Sequence, residues 1–206
     1  MTTSERPPVG PNEPAPNFTL PAVGREGNVS LDDYRGKSPL LLAMFRGLYC
    51  PFCRRQISQM RPMYNTLKAS GIAMIGVVVA SPDHARQYFR RFPACLPLAA
   101  APDRALHRAF GLPETARTPE FRVETDRQAA DVLREMGVAA RSEGPAMTYY
   151  TADGFEPTAE DETERERPLQ SVGHFLIGED GVIRWARVGW RERESLPAVS
   201  ELLAAG

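Results

Sequence analysis

One stretch constrains this chain more than any other: the apolar run that starts at Leu40 and continues LLAMFRGLYCPFCRRQISQM from Leu41. An uninterrupted apolar segment of this kind fits a strand buried on both faces, and Gly47 marks the turn that ends it. Cys50 stands where a helix N-cap belongs. Pro51 takes the first helical position, where its fixed φ suits the helix and its missing N–H is no loss. Beyond it Cys53, Ile57, Met60, Tyr64 and Leu67 recur at helical spacing and form one stripe. The two thiols are therefore unequal. Cys50 projects from the helix start, where unpaired N–H groups and the macrodipole favour a thiolate, while Cys53 turns toward the core. An exposed attacking sulfur with a sheltered one behind it is the arrangement a dithiol redox centre requires.

Composition narrows the alternatives. The 206 residues suffice for one domain with a developed core and an insertion, and the whole chain, 1–206, is read as a single domain. A net charge of −1 gives no electrostatic reason to expect nucleic acid or an anionic membrane as partner. Lys37 and Lys68 are the only lysines, an arginine bias that reads as genome composition. The N-terminus, MTTSERPPVGPNEPAPNF, has neither a basic nor an apolar leader region, and no apolar run reaches membrane-spanning length, so a cytoplasmic protein is expected. With only Cys50, Cys53 and Cys95, a disulfide framework is not indicated in such a compartment, and a Cys-x-x-Cys reads as redox-active or metal-binding. Four cysteines for zinc are not present in one chain, and His84, His107 and His174 have no second ligand at finger-like spacing. No metal and no cofactor is expected.

Taken in order, the prolines at 7, 8, 11, 14 and 16 predict a flexible, extended arm over residues 1–16. Phe18–Leu20 and Val29–Leu31 flank a turn-rich segment and predict a hairpin. The helix from Pro51 should reach Ala69 with a break near Pro62, and Ile72–Ala80 is a second apolar strand. Ser81 and Pro82 open the next helix, which runs to Arg91 or Phe92. A short strand over Leu96–Ala99 and a short helix over Asp103–Phe110, stopped by Gly111, follow. Residues 112–170 then break the pattern: they are charged, with a helix from Asp126 to Met136 and a solvated loop over Glu156–Arg167. Order returns with Val172–Ile177 and Val182–Val188 as a hairpin and Arg191–Ala205 as a last helix. Alternating strands and helices of this kind argue for an α/β sheet.

Several of these stretches resemble the peroxiredoxin-like branch of the thioredoxin fold, the AhpC/TSA or redoxin group. They are APNFTLPAVG with VSLDDYRGK, FRGLYCPFCRRQI, GIAMIGVVVASPDHARQYF, APDRALHRAFGL and GHFLIGEDGVIRWARVG. The resemblance implies a thioredoxin-like α/β fold: a mixed central sheet flanked by helices, an N-terminal β-hairpin, and an insertion at 112–170 before the last hairpin. It also marks two departures. Peroxiredoxins carry Pro and Thr upstream of the reactive cysteine, and the matching positions are Ala43 and Gly47 before Cys50, or Arg46 and Cys50 before Cys53. No local hydroxyl is therefore expected to meet a peroxide oxygen. Where thioredoxins carry a cis-proline, this chain has Val172.

The chemistry that follows is a thiol–disulfide oxidoreductase using Cys50 to attack and Cys53 to resolve. The alternative is a thiol-dependent peroxidase on hydrogen or organic peroxides, in which either cysteine can be the one that meets peroxide. A non-catalytic binding module is the third reading. Partners are then protein or small-molecule disulfides or peroxides and an external thiol reductant, and the sequence leaves a homodimer open. Arg46, at the strand end, is the preferred thiolate stabiliser, while Arg54 and Arg55 fit that role or a solvated helix face equally. Cys95 and His174 read as structural, Arg184 as a surface residue, and Trp185 and Trp190 as anchoring aromatics.

Overall fold

The structure, a computed structural model, describes residues 2–3, 6–189 and 197–205. The apolar run becomes β4 (Leu40–Met44), every residue of which is buried. It lies parallel to β5 (Ala73–Val79) and antiparallel to β9 (Val172–Ile177), with β6 (Leu98–Ala101) and β10 (Ile183–Gly189) outside them. The order β10–β9–β4–β5–β6 thus puts the predicted central strand at the centre of a mixed sheet. Alternation does the rest. Leu41, Ala43 and Phe45 enter one core, while Leu40, Leu42 and Met44 enter the core on the other face.

Helices flank the sheet. α1 (Pro51–Gln59) and α2 (Arg61–Ala69) are separated at Met60. Pro62 cannot continue a helix because it lacks an N–H and its ring meets the carbonyl four residues back, so the chain restarts with Pro62 in a first turn. α3 (Pro82–Arg91) is capped by the Ser81 hydroxyl, as expected. α4 (Ala105–Ala109) ends at Gly111, whose φ of +70° favours glycine. The hairpin of β2 (Thr19–Pro21) and β3 (Asn28–Ser30) is tied to β6 by the Ala22–Ala99 bridge and the Val23 N–H to Leu98 carbonyl bond. α8 (Val199–Ala205) packs on α2 and β10. The predicted start of that helix, residues 191–196, lies outside the described residues, as does Trp190.

Two expectations need correction. The arm at residues 6–16 is extended but pinned rather than flexible. Val9, Asn12 and Ala15 N–H groups donate to the Phe110, Ile183 and Gly181 carbonyls, and Val9 and Ala15 are buried. Before it, β1 (Thr2–Thr3) pairs with β7 (Glu114–Thr115), which pairs with β8 (Leu169–Gln170). The second correction concerns residues 112–170, which are largely helical. α5 (Pro119–Met136) begins at Pro119 rather than Asp126, because Thr118 accepts from the Phe121 N–H and Pro119 opens the first turn. α6 (Pro145–Thr151) packs on it through Tyr149, Ala129, Val132 and Leu133. α7 (Ala159–Glu166) fills the charged tract that read as a solvated loop. Its charges are paired: Asp161 Oδ2 lies 2.8 Å from His84 Nε2 and Glu164 Oε2 lies 2.9 Å from Arg104 Nη2. Glu160 accepts from the Ser81 hydroxyl at 2.7 Å.

Candidate active site

The site begins where β4 runs out. Phe45 still donates to the Val77 carbonyl, and the chain then turns through Arg46, Gly47 and Leu48. Gly47 is required sterically, since a Cβ there would lie 2.6 Å from the Val79 carbonyl oxygen. The turn delivers Cys50 as N-cap of α1, with φ −92° and ψ 106°. Its Sγ accepts from the Cys53 N–H at 3.3 Å and from Arg46 Nη1 at 3.5 Å. Arg46 is itself buried and fixed by an Nε bond of 2.6 Å to the Gln170 carbonyl on β8. The structure therefore gathers Cys50, Cys53 and Arg46 into one cluster.

Electrostatics follow from that geometry. Burial alone would push the Cys50 thiol up. A bond from the Cys53 side chain, the Arg46 charge and the Cys53 N–H outweigh it, and the thiol falls from 9.0 to about 5. At neutral pH the group is a thiolate.

The thiols are unequal, but not in the way the sequence suggested. Cys50 is 4% exposed and Cys53 0%, so neither is open to solvent. What separates them is a cavity of about 140 Å³ that Cys50 lines. Arg46, Tyr49, Pro51 and Phe52 line it from one side; Arg117, Phe121, Ala146, Met147, Tyr150, Arg165 and Leu169 come from residues 112–170. The segment that the resemblance left aside roofs the site.

Tyr49 is a residue the sequence reading missed. It precedes Cys50, is 4% exposed, and its hydroxyl has no hydrogen-bond partner among the described residues. Burial drives its phenol upward, so it remains a neutral donor. Tyr49 thus brings a hydroxyl-bearing side chain to the cavity that Cys50 lines, where the usual upstream threonine is absent. The available signal was the YC dipeptide itself, an aromatic bearing a polar handle immediately before a reactive N-cap.

Arg54 matches neither role expected of it. Its guanidinium is buried and donates to the Leu48 carbonyl at 2.6 Å, to the Tyr150 carbonyl at 2.7 Å and to Asp153 at 2.8 Å, and it lies 3.9 Å from the centre of the Phe155 ring. It therefore pins the loop before Cys50 to the roof. Arg55 does sit on a helix face and pairs with Glu135 at 2.9 Å.

Other candidates fall away from the site. Cys95 Sγ is 3.7 Å from the Ile57 carbonyl and does not line the cavity. Arg184 is held by Asp180 on the hairpin turn at 2.6 Å. Trp185 packs against the core, under the Arg187 guanidinium. His174 is buried, edge-on to Phe45, and neither ring nitrogen has a partner among the described residues, so it is structural without being satisfied. Burial and then the Arg187 charge lower it to about 3, which keeps it neutral. Val172 opens β9 beside the end of β4, with Gly173 opposite Met44. Among the described residues, no three His, Cys, Asp or Glu side chains are placed to hold a metal ion, and no helix is long and apolar enough to cross a membrane.

The AhpC/TSA family model matches residues 11–186, most of the chain and the whole of the site. The chain belongs to the AhpC/TSA family. Solved structures agree on the fold of this AhpC/TSA protein. Peroxidoxin BcpB from Mycobacterium tuberculosis is similar at TM-score 0.59 and 10% identity, over 96% of this chain and 96% of that one. The reduced 2-Cys peroxiredoxin of Plasmodium vivax is similar at TM-score 0.58 and 13% identity, over 95% of this chain and 79% of that one. At such identities the likeness speaks for the thioredoxin-like fold alone. No curated protein matches the sequence.

Proposed function

We propose that this AhpC/TSA-family chain is a dithiol oxidoreductase that reduces small oxidants, peroxides foremost, with Cys50 attacking and Cys53 resolving. The observation that carries the reading is the Cys50 sulfur itself: a lowered thiol held by Arg46 and the Cys53 N–H, lining a half-open cavity. A cavity of about 140 Å³ matches a small molecule better than the disulfide loop of a folded protein.

The steps balance as follows. The Cys50 thiolate attacks the terminal peroxide oxygen; the S–O bond forms, the O–O bond breaks, and the departing alkoxide or hydroxide takes a proton and leaves as alcohol or water. Cys50 becomes a sulfenic acid, oxidised by two electrons. The Cys53 sulfur then displaces hydroxide, which takes the Cys53 proton and leaves as water, giving a Cys50–Cys53 disulfide. Two equivalents of an external thiol, supplied by a reducing cytoplasmic pool, return the pair to the dithiol. Arg46 holds the thiolate at 3.5 Å.

Exchange with small disulfides is a second reading, supported by the Cys-x-x-Cys spacing and by the sheltered position of Cys53 behind Cys50. Turnover assays on peroxide, a small disulfide and insulin, with dithiothreitol as reductant, separate the readings. Peroxide consumption is expected in the wild type and its loss in Cys50→Ser. Full activity in Cys50→Ser sinks the dithiol mechanism, and insulin reduction without peroxide turnover sinks the small-oxidant reading.

A further inference from the structure

The charges around the cavity do not cancel. Three arginines line it, Arg46, Arg117 and Arg165, and no carboxylate does. Arg165 is answered by Glu162 at 2.8 Å, and Arg46 faces the Cys50 thiolate. Arg117 is different. Its Nε donates to the Arg167 carbonyl at 2.8 Å, while its buried Nη2 has no hydrogen-bond partner among the described residues. No carboxylate among the described residues forms an ion pair with it. Burial, and then the Arg46 charge, lower its guanidinium below the ordinary value against the opposing pull of Tyr49, Cys50 and Glu166.

A second unpartnered donor, the buried Tyr49 hydroxyl, belongs to a residue that lines the same cavity. Each buried donor left unmade is unfavourable, and a negatively charged acceptor is the group that would answer them. Most of the remaining wall is apolar, with Phe52, Phe121, Met147 and Leu169, and Thr125 and Gln128 are its neutral polar members. The volume of about 140 Å³ is close to that of a cavity known to hold a benzene-sized group, roughly 150 Å³.

We infer that the cavity selects a small amphipathic monoanion, an organic oxidant with a compact apolar body and a carboxylate that Arg117 and Tyr49 bind, leaving its reducible bond at Cys50. This rests on the proposed chemistry at Cys50 for its turnover and on the cavity alone for its binding. Arg117 and Tyr49 are thus specificity-determining residues, and residues 112–170 carry one of them.

The test separates binding from chemistry. Binding of para-isopropylbenzoate and its uncharged methyl ester is measured by calorimetry on the full chain, in the wild type and in Cys50→Ser. The acid should bind tighter than the ester by about 10- to 100-fold, the range of a charge-assisted hydrogen bond. Arg117→Gln should abolish that preference, Arg117→Lys should keep part of it, and Tyr49→Phe should reduce it. Equal binding of acid and ester in the wild type, or a preference that survives Arg117→Gln, overturns the inference. Turnover of cumene hydroperoxide with and without a para-carboxylate is then compared. Acid-selective binding with no peroxide turnover refutes the proposed function and leaves the anion site standing; turnover without acid selectivity does the reverse.

Discussion

Replacing Arg46 by Gln removes the cation 3.5 Å from the Cys50 sulfur and leaves a side chain able to hydrogen-bond within the fold. An opposite charge at this range depresses an acid by about 1–3 pH units, so the thiol should rise from about 5 to between roughly 6 and 8. Reaction rate at one pH would mislead. If the thiol rises to about 7, its thiolate population at pH 6 falls roughly tenfold, but thiolate nucleophilicity climbs by about 6- to 10-fold over the same change. The two nearly cancel. The readout is therefore the midpoint of the pH dependence of iodoacetamide alkylation, measured in a Cys53→Ser, Cys95→Ser background in which serine keeps a hydroxyl donor toward Cys50. Arg46→Lys, which keeps the charge, should stay near the parent midpoint. A midpoint for Arg46→Gln that coincides with the parent, in a protein of unchanged circular dichroism, would show that the Arg46 charge is not what holds the thiolate.

Three further outcomes are expected. In the reduced protein, Cys50 makes stability rise with pH between about 5 and 9, because the unfolded thiol keeps its proton there and the folded one has lost it. The slope is up to about 1.4 kcal/mol per pH unit, read as the wild-type excess over Cys50→Ser in urea titrations. Arg54→Met should cost about 2–3 kcal/mol, less than the roughly 3–5 kcal/mol of a fully buried pair because Asp153 is 37% exposed, and should speed amide exchange in α6. Unchanged exchange there would contradict the pinning role of Arg54. Gly47→Ala should lower turnover and the melting temperature together, since its Cβ meets the Val79 carbonyl rather than a movable side chain.

The central part of the fold was legible because its signals are local. The apolar run, the N-cap cysteine with Pro51 behind it, and the Ser81–Pro82 pair each fix a strand or a helix start within a few residues. The roof was not legible, for a physical reason. α7 is polar along its length and is held by pairs such as Arg104–Glu164 and His84–Asp161, whose members lie far apart in sequence. Periodicity registers a helix that buries an apolar stripe, and it is blind to one whose buried face is charge matched to charge. The same gap hid the site's inner wall. Cys50 reads as exposed when α1 is considered alone and becomes enclosed only when Phe121, Met147 and Tyr150 arrive over it. Arg46 was legible from its place at the strand end, whereas Arg117 gave no sign of its position.

The central claim is that Cys50 is the sulfur that meets the oxidant. Cys53→Ser treated with one equivalent of hydrogen peroxide in the presence of dimedone, then digested and sequenced by mass spectrometry, tests it directly. The account predicts a single dimedone adduct on Cys50 at neutral pH, and none on Cys53 in the reciprocal Cys50→Ser protein. A dimedone adduct on Cys53 in Cys50→Ser, with peroxide still consumed, would assign the attack to the other sulfur and contradict it.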